Sequence, residues 1–184
     1  LSLFNSGPYI KKSLTALFFK WGEYILVFFI SQDTLTNPKR IRNCLAIILS
    51  MAFVLGVDAI FQRFSGVDFL RHKKMIALYG ETIPRAITAS FTHYNSFGAY
   101  LVFVISLLLA LLVSVKRKIL KLTLFLLMIL LQVCLMLTFS RGSWIGFLAA
   151  LIFMLFLSPR INKLINMFVI FILVLLFMPG IRER

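Results

Sequence analysis

Apolar and polar positions fall in long blocks along this chain, without the short periods of a half-buried strand or a surface helix. Charge-poor runs cover residues 14–30, 44–61, 96–115, 122–139, 143–157 and 164–178, each bounded by short polar stretches. Runs of this length and composition are too long for soluble core helices and predict helices that cross a membrane. The third and fourth carry no charge, whereas the first contains Lys20 and Glu23, three residues apart and able to pair along one helix face. The last two are shorter: about 15 residues rise only about 22 Å at 1.5 Å per residue, so they need flanking residues to cross. The pattern predicts an all-α, multi-pass transmembrane helical bundle of about six spans.

The polar punctuation predicts an orientation. Lys116, Arg117, Lys118 and Lys121 form the densest basic cluster between two uncharged runs, which assigns that loop to the cytoplasm. Alternation then puts Lys39, Arg40, Arg42, Arg160 and Lys163 on the same side. It puts residues 63–94, 140–142 and 182–184 on the outer side. Cations accumulate there against the usual bias: Arg63, Arg71, Lys73, Lys74, Arg85, Arg141, Arg182 and Arg184. Either water solvates them or something anionic meets them. The loop 63–94, with Gly66, Gly80, Pro84 and apolar pieces at 75–79 and 87–91, is expected to fold back as short interfacial helices. No internal repeat or low-complexity tract is visible.

Composition narrows the chemistry. Residues of hydrophobic type make up 61% of the chain, and 20 Lys and Arg against 6 Asp and Glu give a formal charge of +14. In a soluble domain that charge would suggest nucleic acid. Here the cations are divided among short loops on both sides, no continuous basic surface can form, and no nucleic-acid partner is expected. Cys44 and Cys134 fall at different depths, which argues against a disulfide. The carboxylates Glu23, Asp33, Asp58, Asp68, Glu81 and Glu183 and the two histidines, His72 and His93, show no metal-ligand spacing, so neither metal nor cofactor is expected. There is no phosphate-cradling glycine loop or nucleophile elbow, and Ser140 has no neighbouring base. The opening Leu1 and the charged ending Ile181-Arg182-Glu183-Arg184 read as parts of a longer chain.

The outer side does offer guanidinium, a permanently charged planar fork matched to phosphate oxygens. Arg141 stands between two uncharged runs, where an arginine either snorkels to the headgroups or holds an anion. Gly142 and Gly146 permit close helix approach or backbone access, and Trp144 suits a membrane interface. Upstream, Asn95 and Ser96 can cap the third run's helix, or Asn95 can serve a ligand at that N-terminus. His93 is a solvated loop residue or a supporting one. Asp58 is expected as a packing or loop partner, for Arg63 among others.

The stretch Leu137-Thr138-Phe139-Ser140-Arg141-Gly142-Ser143-Trp144-Ile145-Gly146, followed by an apolar helix, resembles the signature of the O-antigen ligase and O-antigen polymerase superfamily. The upstream Phe91-Thr92-His93-Tyr94-Asn95-Ser96-Phe97-Gly98-Ala99-Tyr100 resembles that family's lead into the preceding span, with Tyr94 departing from a proline common among relatives. The likeness covers residues 85–184, inside a transmembrane piece spanning 1–184 whose outer loop is 63–94. It implies a GT-C-like fold and a metal-independent, multi-pass glycosyltransferase of the bacterial inner membrane, active on its periplasmic face. The donor implied is a glycan on undecaprenyl diphosphate, and the acceptor is lipid A core or a growing polysaccharide. By the resemblance Arg141, with Arg85, Arg182 and Arg184, would hold the donor diphosphate, supported by Ser140, Gly142, Trp144, His93 and Asn95. The family's catalytic histidine follows a large outer loop and would lie beyond Arg184, so no catalytic residue is assigned here and His93 is not a substitute. Two rivals stand beside this reading. One is a transporter or flippase for anionic lipid-linked substrates, and the other is a non-catalytic membrane scaffold.

Overall fold

The computed structural model describes residues 10–34, 36–77 and 85–157. The described elements are five helices: α1 (Ile10–Thr34), α2 (Pro38–Ser65), α3 (Tyr94–Ser114), α4 (Lys118–Leu137) and α5 (Arg141–Leu157). The first, second and fifth apolar runs lie within α1, α2 and α5, and the third and fourth match α3 and α4 except for one or two residues at their ends. The sixth, at 164–178, falls outside the described residues, as do Arg182 and Arg184. Among the described residues α2, α3 and α4 are long and apolar enough to cross a membrane, and α5 is a shorter apolar helix.

The chain divides into two compact units, residues 1–47 and 48–184. In the first, α1 exposes a continuous apolar stretch from Tyr24 to Ile30. The start of α2 is locally encoded: Pro38 fixes a helical φ at the first position, and the Asn37 side chain accepts from the Lys39 N–H at 2.9 Å.

The second unit is built around α3. Phe97, Leu101, Val104, Ile105, Leu108 and Leu109 recur at helical spacing and are almost completely buried. Around them pack Met128, Leu131 and Leu135 of α4, Phe147 and Leu151 of α5, and Ala52 and Ala59 of α2. Small residues let backbones approach, as between lipid-embedded helices. A Cβ on Gly56 of α2 would come within 3.1 Å of the Leu130 and Leu131 side chains. Across the same contact the Cys134 thiol reaches the Gly56 carbonyl at 3.5 Å.

The loop between α2 and α3 departs from expectation. Its described residues contain no interfacial helix; they make antiparallel bridges between Val67 and Lys74 and between Ile76 and Ala86, and a tight turn around Asp68. The reason is polar. Buried Asp58 and Gln62, one turn apart near the end of α2, supply acceptors that an extended backbone can use and a self-satisfied helix could not. Asp58 accepts from the Phe69 N–H at 2.9 Å, and Gln62 Oε1 accepts from the Thr88 and Ala89 N–H groups, each at 2.9 Å. Ala86, Ile87 and Ala89 are thereby seated in the core. The Ile87 N–H then donates to the Leu137 carbonyl at 3.2 Å, tying the loop to the end of α4.

Candidate functional site

These ties gather at one end of the second unit. The end of α2, the loop, the start of α3, the end of α4 and the start of α5 all meet there.

The sharp reversal from α4 to α5 is encoded by four residues. The Thr138 hydroxyl turns back to the Leu135 carbonyl at 2.7 Å and accepts from the Ser140 N–H at 3.3 Å. Phe139 takes a φ of 53°, the left-handed conformation that usually falls to glycine after a helix. Ser140 then caps α5: its hydroxyl oxygen accepts from the Ser143 N–H at 3.3 Å and its carbonyl from the Trp144 N–H at 3.1 Å. The Trp144 indole donates to the Leu135 carbonyl at 3.2 Å. Trp144 is half-buried against the core, so it is a brace of the elbow more than a free member of an aromatic belt.

A side-chain chain joins this elbow to α3. Ser140 Oγ donates to Asn95 Oδ1 at 2.9 Å and lies 2.7 Å from Ser143 Oγ. A hydroxyl has one hydrogen. With that of Ser140 directed at Asn95, Ser143 must be the donor to Ser140. Ser140 is therefore saturated, and its role is structural. Asn95 does not cap α3, contrary to expectation; His93 occupies the cap position without a side-chain hydrogen bond, and its ring is exposed. Pulled across to Ser140, the Asn95 carbonyl is fixed and its amide N–H groups remain as donors.

Beside this chain runs an open groove of about 420 Å³, lined by Asn95, Ala99 and Val102 of α3 and by Ser140, Gly142, Ser143 and Gly146 at and along α5. Gly142 and Gly146 do not bring helices together. A Cβ on either would meet nothing within 4 Å, so they leave the groove wide. The close approach belongs to Gly98, where a Cβ would overlap Ser143 Oγ and lie 2.9 Å from Ser143 Cβ.

Arg141 is the first residue of α5 and is exposed next to the groove, without being one of its lining residues. The helix dipole is positive there and the first turn holds no acid, so the cation costs roughly 0.3–1 kcal/mol where an anion would gain as much. The N–H groups of Arg141 and Gly142 have no intrahelical acceptor. The exposed Arg141 and the free N–H groups of the α5 N-terminus are donors suited to an oxyanion, and the Asn95 amide lines the adjoining groove.

The other predicted residues are dispersed. Arg85 is half-buried at the return of the loop, and Asp58 is bound to the Phe69 N–H and the Ser90 hydroxyl, not to Arg63. The structural roles of Gln62, Thr138 and Ser143 are not marked in the sequence pattern, although a glutamine one turn from an aspartate at the end of an apolar run is a usable signal. Gln132 is buried in α4, and its Nε2 has no hydrogen-bond partner among the described residues. Among those residues no group of three or more His, Cys, Asp or Glu lies where it could hold a metal.

Among the described residues the chain is α-helical, with three helices long and apolar enough to cross a membrane. No known protein family, curated protein or solved structure matches it.

Proposed function

We propose that this chain is part of an O-antigen ligase-like glycosyltransferase of the bacterial inner membrane, with about six spans in these residues. It moves a glycan from undecaprenyl diphosphate to lipid A core or a growing polysaccharide on the periplasmic face. The observation that carries the reading is the meeting of the two segments on which the family resemblance rests. Asn95 of one is bonded to Ser140 of the other, 45 positions away, beside an exposed arginine at a helix N-terminus.

In this mechanism an acceptor hydroxyl attacks the anomeric carbon, the bond from that carbon to the diphosphate oxygen breaks, and the lipid diphosphate departs with the bonding electrons. Arg141 and the α5 N-terminus stabilise the charge growing on that leaving group, an effect worth several kcal/mol where water is scarce. The general base is expected outside these residues. Arg85, Arg182 and Arg184 are further candidates for holding the donor.

Replacing Arg141 by Ala in the full-length protein, with membrane levels matched, is expected to lower glycan transfer at least a hundredfold. Arg141→Lys is expected to recover part of it, because a point charge lacks the two-pronged fork. Unaltered transfer in Arg141→Ala would remove this residue from the mechanism. Loss of net lipid movement with glycan transfer intact would favour the transporter reading.

A further inference from the structure

The apolar face of α2 does not stop where the helix does. Met51, Val54, Val57, Phe61 and Phe64 recur at three- and four-residue spacing and are all exposed, the pattern of a lipid-facing stripe. At its end Phe61 stacks edge-on against Phe69 of the following turn, with ring centroids 5.8 Å apart, and Leu70 is exposed next to it. Directly after these come Arg71, His72, Lys73 and Lys74, of which Arg71, His72 and Lys74 are exposed. Hydrocarbon-facing side chains, then aromatic rings, then cations is the order in which a bilayer presents tails, interface and phosphates.

The turn is rigidly built. Asp68 is buried; its side chain accepts from the Arg71 and Lys73 N–H groups, and its carbonyl accepts from the His72 N–H at 3.1 Å. The Val67–Lys74 bridge closes the turn, and Asp58 holds it to α2 through Phe69. Both carboxylates between residues 58 and 77 are thus buried and bound to backbone or hydroxyl groups. The exposed charge of this segment is entirely positive: Arg63, Arg71 and Lys74, with Lys73 half-exposed.

We propose that the turn Gly66–Lys74 is a binding element for anionic phospholipid headgroups, with Arg71 and Lys74 meeting the phosphates of lipids whose tails lie along the α2 stripe. The proposal rests on α2 crossing the bilayer and is independent of glycan transfer. Continuity with the lipid-facing stripe selects a lipid over a soluble anion. The neighbouring aromatic rings anchor the turn at headgroup depth, where each cation gains from a negative surface.

The test uses the full-length protein in phosphatidylcholine vesicles containing a minor fraction of phosphatidylglycerol. Photoactivatable analogues of the two lipids, reactive near the headgroup, are cross-linked and mapped by peptide mass. The phosphatidylglycerol probe is expected to label residues 61–74 several-fold more than the phosphatidylcholine probe. That preference is expected to vanish in Arg71→Gln/Lys74→Gln and to survive in Arg71→Lys/Lys74→Arg. Labelling around Lys116–Lys118 serves as the internal reference. Equal labelling by both probes, no labelling of 61–74 by either, an unchanged preference in the Gln variant, or competition by inorganic phosphate as strong as by phosphatidylglycerol would each overturn the proposal.

Discussion

Gln62 shows how one side chain can decide the course of thirty residues. It is completely buried, its oxygen holds two backbone N–H groups, and its amide nitrogen donates to the Lys73 carbonyl at 3.1 Å and the Thr88 hydroxyl at 3.4 Å. It also holds Ala89 at a φ of 45°, a left-handed conformation that costs a non-glycine residue roughly 1–2 kcal/mol. Replacing Gln62 by Leu keeps the bulk and removes the acceptor, stranding two buried N–H groups at about 1–3 kcal/mol each. Thermal unfolding in detergent is expected to shift to lower temperature, with the Thr88 and Ala89 amides exchanging hydrogen faster than those of α3. Unchanged exchange at these two positions would show that the loop is held by other means. Asp58 and Gln62 were legible in the sequence only as polar residues near the end of an apolar run. Their partners are backbone groups of a distant segment, which no side-chain pattern records.

At the scale of the elements, the seam between α3 and α5 depends on Gly98 lying opposite Ser143. The sequence drew attention to Gly142 and Gly146 because small residues near a helix start suggest close packing, yet both face open space. Spacing identifies small residues; it does not say which face of the helix meets a neighbour. Adding a methyl group at Gly98 forces α3 and α5 apart and is expected to cost about 1–3 kcal/mol by overpacking. Because the obstructing atoms belong to Ser143, the double variant Gly98→Ala/Ser143→Gly is expected to regain most of that loss, less the cost of glycine within a helix. Additive effects of the two changes in a thermal-unfolding cycle would contradict the seam. The helices themselves were largely readable: long charge-free runs fixed α3 and α4 to within a few residues. The elbow was not, since its left-handed residue is Phe139, where glycine would have announced the turn.

For the whole molecule, the notable outcome is convergence. Alternation of the charge-poor runs put the α2–α3 loop and Ser140-Arg141-Gly142 on one side, and the hydrogen bonds from the Thr88 N–H to Gln62, the Ile87 N–H to Leu137 and the Ser140 hydroxyl to Asn95 gather these segments at one end of the second unit. The basic loop at Lys116–Lys118 joins the opposite ends of α3 and α4. What sequence patterning supplied was the order of helices and their alternation; what it missed was the polar network that fastens their ends, because that network is written in isolated Asp, Gln, Thr and Ser residues. The proposed function requires Arg141 to stand on the extracytoplasmic side. Both Arg141 and Arg117 are exposed, so each can be exchanged for cysteine and read directly once Cys44 and Cys134 are replaced by Ala. With a membrane-impermeant maleimide applied to spheroplasts, cysteine at 141 is expected to be labelled at once and cysteine at 117 only after permeabilisation. Labelling of 117 in intact spheroplasts, with 141 reached only after the membrane is opened, would contradict the account at its root.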